Sequence, residues 1–142
     1  MKILIVEDDP NLCILWQDVF EQAGHTHLAA QSASQARTAL EQDRFDLVLL
    51  DYYLADGDAG DLTGALGETP TLVVTGAAQN ADGGLFSLSD AIAGVLYKPV
   101  DIEDLIEVSE HLAKGGKDML PERRLALGLE VSPQPRASAA GN

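Results

Sequence analysis

The sequence contains little of what extracellular and membrane proteins are built from. Cys13 is its only cysteine, so no internal disulfide can form, and we expect a small apolar core residue there. No apolar run approaches the ~20 residues that a membrane-spanning helix needs. The N-terminus runs directly into a strand-like segment without a small-residue cleavage site, which indicates no signal peptide. Together these absences predict a cytoplasmic protein.

Basic side chains are also scarce. The 142 residues carry 9 Lys and Arg against 23 Asp and Glu, a formal net charge of −14. Residues 1–118 hold 21 acidic and 6 basic side chains, which gives −15, whereas residues 119–142 hold 2 and 3, which gives +1. Because a DNA-binding face must be basic to neutralise phosphates, this balance excludes direct nucleic-acid binding. A glycine-rich phosphate loop is absent as well, which argues against a nucleotide substrate.

The sequence does contain an alternation of strand-like and helix-like segments in a chain of one-domain length. Apolar, β-prone runs lie at Lys2–Val6, Thr26–Ala30, Leu47–Leu50, Thr71–Thr75 and Val95–Tyr97, and helix-like segments at Asn11–Ala23, Ser34–Gln42, Asp61–Leu66, Leu85–Ile92 and Ile102–Ala113. Five β–α pairs with short connections predict an α/β fold, a doubly wound parallel sheet of five strands with helices on both faces.

The character of the chain changes near residue 117. We expect one folded domain over residues 1–117, since the remainder is too short for a second core. Residues 118–142 become rich in Pro, Ser and Ala and are expected to form a partly disordered tail. Whether the leucines of this tail pack back on the domain or dock elsewhere is left open.

Polar side chains lie at or just past the ends of four strand-like runs. Glu7 and Asp8 follow the first run, and Asp51 follows the third. Thr75 ends the fourth run, and Lys98 follows the fifth. Parallel strands bring their carboxyl ends to one edge of the sheet, where the ligand sites of open α/β sheets form. We therefore expect these five side chains to share one site.

Clustered carboxylates at that edge suit a hard divalent cation such as Mg²⁺, which prefers oxygen ligands. Glu7, Asp8 and Asp51 supply the charge in this interpretation, and Asp9 could do so instead. An acidic run of this kind is also typical of a capped, solvated helix start. Both interpretations stay open at this point.

A cation, an exposed aspartate, a hydroxyl and an ammonium group together favour phosphoryl transfer. Asp51 would attack phosphorus and form an acyl phosphate. Thr75 and Lys98 would bind phosphoryl oxygens beside the cation. Pro99 restricts Lys98 to an extended conformation, which helps to fix its position.

The segments ILIVEDDP, DLVLLDYYLADGD, VVTG and YKP, in that order, resemble the receiver domain of bacterial two-component response regulators over roughly residues 1–116. The resemblance implies a flavodoxin-like strand order of 2-1-3-4-5 and a single-domain phosphoacceptor of a two-component system or phosphorelay. Such a protein is not a conventional enzyme and promotes only its own phosphorylation and dephosphorylation. The implied partners are a histidine kinase or histidine phosphotransfer protein and an unidentified output protein, and a homodimer is compatible with this interpretation.

The resemblance assigns Asp51 as the phosphoacceptor, Thr75 as the switch hydroxyl and Lys98 as the phosphate-binding lysine. The family's switch couples the threonine to an aromatic residue three positions before the lysine, and Val95 stands there. Tyr97 lies on the same face of that strand, because strand side chains alternate. Whether Tyr97 replaces the missing aromatic, or the domain signals differently, stays open.

The resemblance also implies a magnesium site. Asp8 would be the direct ligand and Glu7 its acidic neighbour, with the Asp51 carboxylate and the backbone carbonyl of Tyr53 as further ligands. Two rival classes fit parts of the pattern. One is an interaction module that keeps the fold but acts without phosphorylation. The other is a magnesium-dependent phosphatase with an aspartyl nucleophile, which commonly has a second acid where this chain has Tyr53.

Overall fold

The computed structural model describes residues 1–76, 90–115 and 129–131. Its strands are β1 (Lys2–Val6), β2 (Thr26–Ala30), β3 (Leu47–Asp51), β4 (Tyr53–Leu54), β5 (Gly57–Asp58), β6 (Thr71–Thr75), β7 (Ile92–Tyr97) and β8 (Leu129–Val131). Its helices are α1 (Pro10–Gln22), α2 (Ala33–Gln42), α3 (Thr63–Leu66) and α4 (Ile102–Ala113), with a 3-10 turn at Ala59–Leu62 before α3. Within the described ranges, every helix falls short of the length and hydrophobicity that crossing a membrane requires.

The described strands form one large sheet in the order β2-β1-β3-β6-β7-β8. The first five strands of that order run parallel. They confirm the predicted five-stranded, flavodoxin-like sheet, with β6 and β7 as its fourth and fifth strands. β8 pairs antiparallel with the outer edge of β7 and is an addition that the sequence did not predict. A separate hairpin joins β4 to β5.

Helices cover both faces of the sheet, as predicted. On one face α1 and α4 pack against β1, β3 and β6 through Cys13, Trp16, Val19, Phe20, Leu105, Val108 and Leu112, which meet Ile3, Ile5, Leu47, Leu49, Leu72 and Val74. On the other face α2 and α3 pack through Ala33, Ala36, Ala39 and Leu66 against Leu4, Val6, Val48 and Leu50. Because both faces of the sheet are buried, the central strands consist of continuous runs of apolar residues.

Short polar residues fix the starts of the longer helices. Asp9, Ser32 and Asp101 each accept backbone N–H groups from the first turn of the helix that follows. These caps directly precede the periodic apolar segments, and the sequence therefore located the starts of α1, α2 and α4 to within a residue. Gly24 ends α1 at a φ of 88°, a left-handed conformation that favours glycine.

Two regions differ from the sequence-based expectation. β7 begins at Ile92 rather than Val95, so the end of the predicted helix Leu85–Ile92 is wrong, and residues 85–89 lie outside the described residues. The added residues form a strand because they pair with β6, although Ala93 and Gly94 have low strand propensity. β8 lies within the segment that was expected to be a partly disordered tail, whose other residues from 118 onward fall outside the described ranges.

Candidate functional site

The carboxyl ends of β1, β3, β6 and β7 lie side by side, because these strands are consecutive neighbours in the parallel sheet. Glu7 directly follows β1, and its amide continues the ladder by donating to the carbonyl of Ala30 at 3.0 Å. Asp51 and Thr75 are the last residues of β3 and β6, and Lys98 directly follows β7. The fold thus places the polar residues at the strand ends along one edge of the sheet, as the sequence predicted.

Three carboxylates meet at this edge. Glu7, Asp8 and Asp51 offer oxygen atoms that all lie within 4.8 Å of one another, and no other such group of acidic, histidine or cysteine side chains occurs in the part of the chain described. Mg²⁺ binds oxygen at about 2.1 Å in octahedral geometry, which places neighbouring ligand atoms about 3.0 Å apart and opposite ones about 4.2 Å apart. Small side-chain movements would bring the three carboxylates to such spacings, so the donor set fits a magnesium ion.

Glu7 is the buried member of this cluster, with only 3% of its surface exposed. Burial and the neighbouring Asp51 carboxylate raise the pKa of Glu7 to about 7, and the Asp9 amide and the Lys98 ammonium only partly oppose this. The raised pKa means that the charged form of Glu7 is disfavoured here, first by burial and second by the Asp51 carboxylate. A bound cation would favour that charged form.

Lys98 supplies the positive charge at the site. Its Nζ atom lies 3.3 Å from Oε1 of Glu7 and 3.7 Å from Oδ2 of Asp51, and its side chain is 30% exposed. The sequence predicted that Lys98 shares a site with Asp51, and the structure adds a closer pairing with Glu7. One ammonium group is therefore shared between two carboxylates.

Thr75 is fully buried at the end of β6. It is paired in register with Tyr97, and its carbonyl oxygen accepts the Lys98 amide at 2.9 Å. This contact ties the strand end that carries the hydroxyl to the one that carries the ammonium group. The two strand ends therefore lie in direct contact at the site.

Asp9 has a different task from its acidic neighbours. Its Oδ1 atom accepts the amides of Asn11 and Leu12 at 2.9 and 3.3 Å and so caps α1. Its own amide donates to Oε2 of Glu7 at 3.2 Å. The structure therefore engages Asp9 in the helix start and leaves Asp8 as the acidic residue beside Glu7 and Asp51.

The loop after Asp51 is anchored to α2. Tyr53, two residues after Asp51, opens β4 and has a half-exposed ring. Further along the loop, the Asp56 carboxylate accepts the amides of Ala33 and Ser34 at 2.8 and 3.2 Å. These hydrogen bonds lower the pKa of Asp56 below its ordinary value. A role of the Tyr53 carbonyl as a metal ligand stays a prediction.

Val95 and Tyr97 share one face of β7, as the alternation of side chains requires. Val95 is fully buried and packs with Val73 and Ile92, and Tyr97 packs partly buried against the same cluster. The position where the family places its aromatic residue is therefore filled by an aliphatic core residue.

Sequence reasoning missed the burial of Glu7. The acidic run was interpreted either as ligands of a cation or as a solvated helix start, and neither interpretation predicts that Glu7 is buried and paired with Lys98. The available signal was its position, because Glu7 continues the apolar run of β1 with no intervening turn residue.

Comparison with known proteins gives one consistent family. The model of the response regulator receiver domain matches residues 3–110. The TorCAD operon transcriptional regulatory protein TorR of Escherichia coli is 32% identical over 107 residues, which cover 73% of this chain and 46% of TorR. The chain thus spans about half the length of that relative. An uncharacterized 14.6 kDa protein of Leptolyngbya boryana is 31% identical over 114 residues, covering 76% of this chain and 86% of that protein.

Solved structures agree in fold. A CheY-like receiver domain protein from Methanospirillum hungatei has a TM-score of 0.70 at 27% identity and covers 80% of this chain and 94% of its own. The receiver domain of a Pseudomonas aeruginosa sensor histidine kinase, solved with a magnesium ion coordinated in its active-site cleft, has a TM-score of 0.69 at 21% identity, covering 80% and 97%. With the sheet order and the matched residues, these comparisons show that the chain belongs to the response regulator receiver domain family.

Proposed function

We propose that this receiver domain takes a phosphoryl group from a phosphohistidine onto Asp51 and then changes its contacts with a protein partner. The observation that carries the proposal is the meeting of Asp51 with two further carboxylates and the Lys98 ammonium at the carboxyl edge of the sheet. The Asp51 side chain is 11% exposed, so a donor can reach it while the surrounding groups hold it in place.

In the proposed step a carboxylate oxygen of Asp51 forms a bond to phosphorus while the phosphorus–nitrogen bond of the donor breaks. The donor imidazole leaves with the electron pair of that bond and takes up a proton, and Asp51 becomes an acyl phosphate. Attack by water later releases inorganic phosphate and restores the carboxylate. The chain is thus an acceptor that promotes its own phosphorylation and hydrolysis and not a conventional enzyme.

Lys98 and Thr75 would bind the oxygens of the phosphoryl group. The Lys98 ammonium is already within 3.7 Å of Asp51 and needs little movement to reach an oxygen attached to it. Thr75 lies at the end of the neighbouring strand, and its carbonyl oxygen accepts the amide of Lys98. Charge-assisted hydrogen bonds of this kind stabilise developing negative charge in a transition state.

Magnesium is the cofactor that the carboxylates favour. Glu7, Asp8 and Asp51 would hold it, and the backbone carbonyl of Tyr53 would be a further ligand. When bound, the ion supplies positive charge that neutralises phosphoryl oxygens and orients them. The closeness of the three carboxylates supports this assignment.

The proposed partners are proteins. The donor would be a histidine kinase or a histidine phosphotransfer protein, and the output partner would be a further protein. The net charge of −14 argues against direct contact with nucleic acid, so the transcriptional role in the name of TorR is not carried over. A cytoplasmic location stays a prediction of the sequence.

Incubation of the purified chain with acetyl phosphate and Mg²⁺, followed by intact mass spectrometry, tests the proposal. We expect one added phosphoryl mass in the wild type and none in Asp51→Asn. Asp46→Asn changes an acid at the other end of β3 and serves as the matched control, which should be modified like the wild type. Failure of the wild type to gain the mass would instead favour the interaction module that acts without phosphorylation.

A further inference from the structure

The outer edge of β7 is covered by a strand from the far end of the chain. β8, residues Leu129–Val131, pairs antiparallel with β7, so that Val131, Glu130 and Leu129 face Gly94, Val95 and Leu96. In the part of the chain described, β7 has β6 on one side and β8 on the other. Without β8, β7 would be the edge strand of the receiver sheet, with backbone groups open to another strand.

The hydrogen bonds to β6 show which backbone groups of β7 point to this outer edge. The Lys98 amide donates to the carbonyl of Thr75, so it points to β6. Backbone groups of a strand alternate in direction, which turns those of Leu96 toward β6 as well and those of Val95 toward the outer edge. Val95 is paired with Glu130, so these two residues form a hydrogen-bonded pair at the centre of the β7–β8 contact.

The connection between α4 and β8 is long enough for the chain to reach its own edge. Residues 116–128 separate the last described residue after α4 from β8, and 13 extended residues span about 43 Å. The six residues of β7 rise only about 20 Å. A tether of this length also holds the segment at an effective concentration of order millimolar, well above ordinary protein concentrations, so pairing within one chain is favoured over pairing between two.

The composition of the tail is consistent with docking on its own domain. Residues 1–118 carry a net charge of −15, whereas residues 119–142 carry +1, so the tail is not repelled as a second acidic domain would be. Gly128 and Pro133 stand on either side of the Leu-Glu-Val segment. Proline has no amide to give to a ladder, which limits the extended pairing to a short segment.

We propose that the outer edge of β7 is a strand-docking site and that its occupant is the chain's own segment at residues 129–131, bound within the same molecule. A second copy of the chain, or a partner that adds a strand to this edge, must then displace the tail. The docked strand lies directly against Val95, in the strand that continues into Lys98. The docking is inferred from backbone pairing alone and does not rest on Asp51 accepting a phosphoryl group.

Amide hydrogen exchange of the full chain, measured by NMR in the absence of any phosphoryl donor, tests this. Glu130→Pro removes the amide that donates to the Val95 carbonyl and so weakens docking by about one hydrogen bond. The Val95 amide is protected by the docked strand, and we therefore expect it to exchange about tenfold faster. The Leu49 amide in β3 should be unchanged, which shows that the sheet is intact. Glu130→Thr keeps the amide and should retain the protection of Val95.

Equal exchange of Val95 in the wild type and Glu130→Pro would overturn the proposal, and so would loss of protection in Glu130→Thr. The wild-type measurement is repeated over a wide range of protein concentrations with sedimentation in parallel. We expect constant protection in a monomer. Protection that falls on dilution together with a dimer would assign the docked strand to a second copy and contradict docking within one chain.

Discussion

The Lys98 ammonium lies 3.3 Å from the carboxylate of Glu7, a residue with only 3% of its surface exposed. The same ammonium lies 3.7 Å from Asp51. One positive charge therefore stands between two acids, with Asp8 close by as a third. In the proposed function, a cation and a phosphoryl group replace this internal pairing.

Lys98→Met should slow phosphorylation by acetyl phosphate at least about tenfold, since removal of one preorganised charged donor costs that much or more. Loss of the ammonium also leaves Glu7 and Asp51 without their shared partner. Rates are measured by intact mass against time at saturating Mg²⁺. Lys114→Met removes an exposed lysine at the end of α4 and should keep the wild-type rate. A wild-type rate of phosphorylation in Lys98→Met would show that Lys98 does not contribute to the reaction.

Glu7→Gln should weaken Mg²⁺ binding by about tenfold or more, because a carboxylate within a few ångströms of the ion contributes on the order of 1–4 kcal/mol. Isothermal titration calorimetry without any phosphoryl donor measures the affinity. Glu41→Gln, at an exposed position of α2, makes the same change in net charge and should bind Mg²⁺ like the wild type. Unchanged affinity in Glu7→Gln would show that Glu7 serves only as the partner of Lys98.

Glu7 also predicts a pH dependence of the metal-free protein. Its pKa is about 7 in the folded chain against an ordinary value of 4.5, so the folded state holds a proton that the unfolded state releases. The contribution of Glu7 to the free energy of unfolding is therefore full below pH 4.5 and is lost as the pH rises through 7. Urea denaturation in EDTA should show this loss of stability in the wild type and not in Glu7→Gln. If the free energy of unfolding varied with pH in the same way in both proteins, the raised pKa would be contradicted.

Asp56 predicts a pH dependence of the opposite sign. The amides of Ala33 and Ser34 hold its pKa below the ordinary value of 3.8. Its contribution to stability is therefore present above that value and is lost as the pH falls through the folded-state pKa. Asp56→Asn should lower the urea midpoint at pH 7, and its midpoint should fall less than that of the wild type on acidification. Asp18→Asn, at an exposed position of α1, should follow the wild type. Identical acid limbs for wild type and Asp56→Asn would refute the role of this contact.

Cys13 gives a probe of the core beneath the site. It is fully buried in the α1 face of the core, and burial raises the pKa of its thiol. The thiolate is the reactive form, so a thiol reagent such as DTNB should label the native chain far more slowly than the chain in denaturant. The readout is the release of one equivalent of chromophore in urea. Fast labelling of the native chain would mean that α1 does not pack on the sheet as described.

The fold was predictable because its signals are local. The run Leu47–Leu50 has no polar residue, and this pattern is typical of a strand buried on both faces. Short caps such as Asp101 mark the helix starts directly. The beginning of β7 was not predictable, because Ala93 and Gly94 have little strand propensity and become a strand only through pairing with β6.

The proximity of the strand-end residues was predictable, and the details of their contacts were not. The carboxyl ends of neighbouring parallel strands must meet, and this rule alone predicts that Asp51 lies near Lys98. Burial of Glu7 and its closer pairing with Lys98 depend on how α1 and the strand ends pack, which no local pattern records. The docking of Leu129–Val131 on β7 was missed for the same reason, since the contact is made across the sheet and the surrounding composition indicates disorder.

The central claim is that Asp51 itself accepts the phosphoryl group. The full chain is treated with acetyl phosphate and Mg²⁺ and then with borohydride, which reduces an aspartyl phosphate to homoserine, and the site is located by tandem mass spectrometry. We predict homoserine at position 51 in the wild type and at no position in Asp51→Asn. Homoserine at another aspartate, or none in the wild type, would contradict the account.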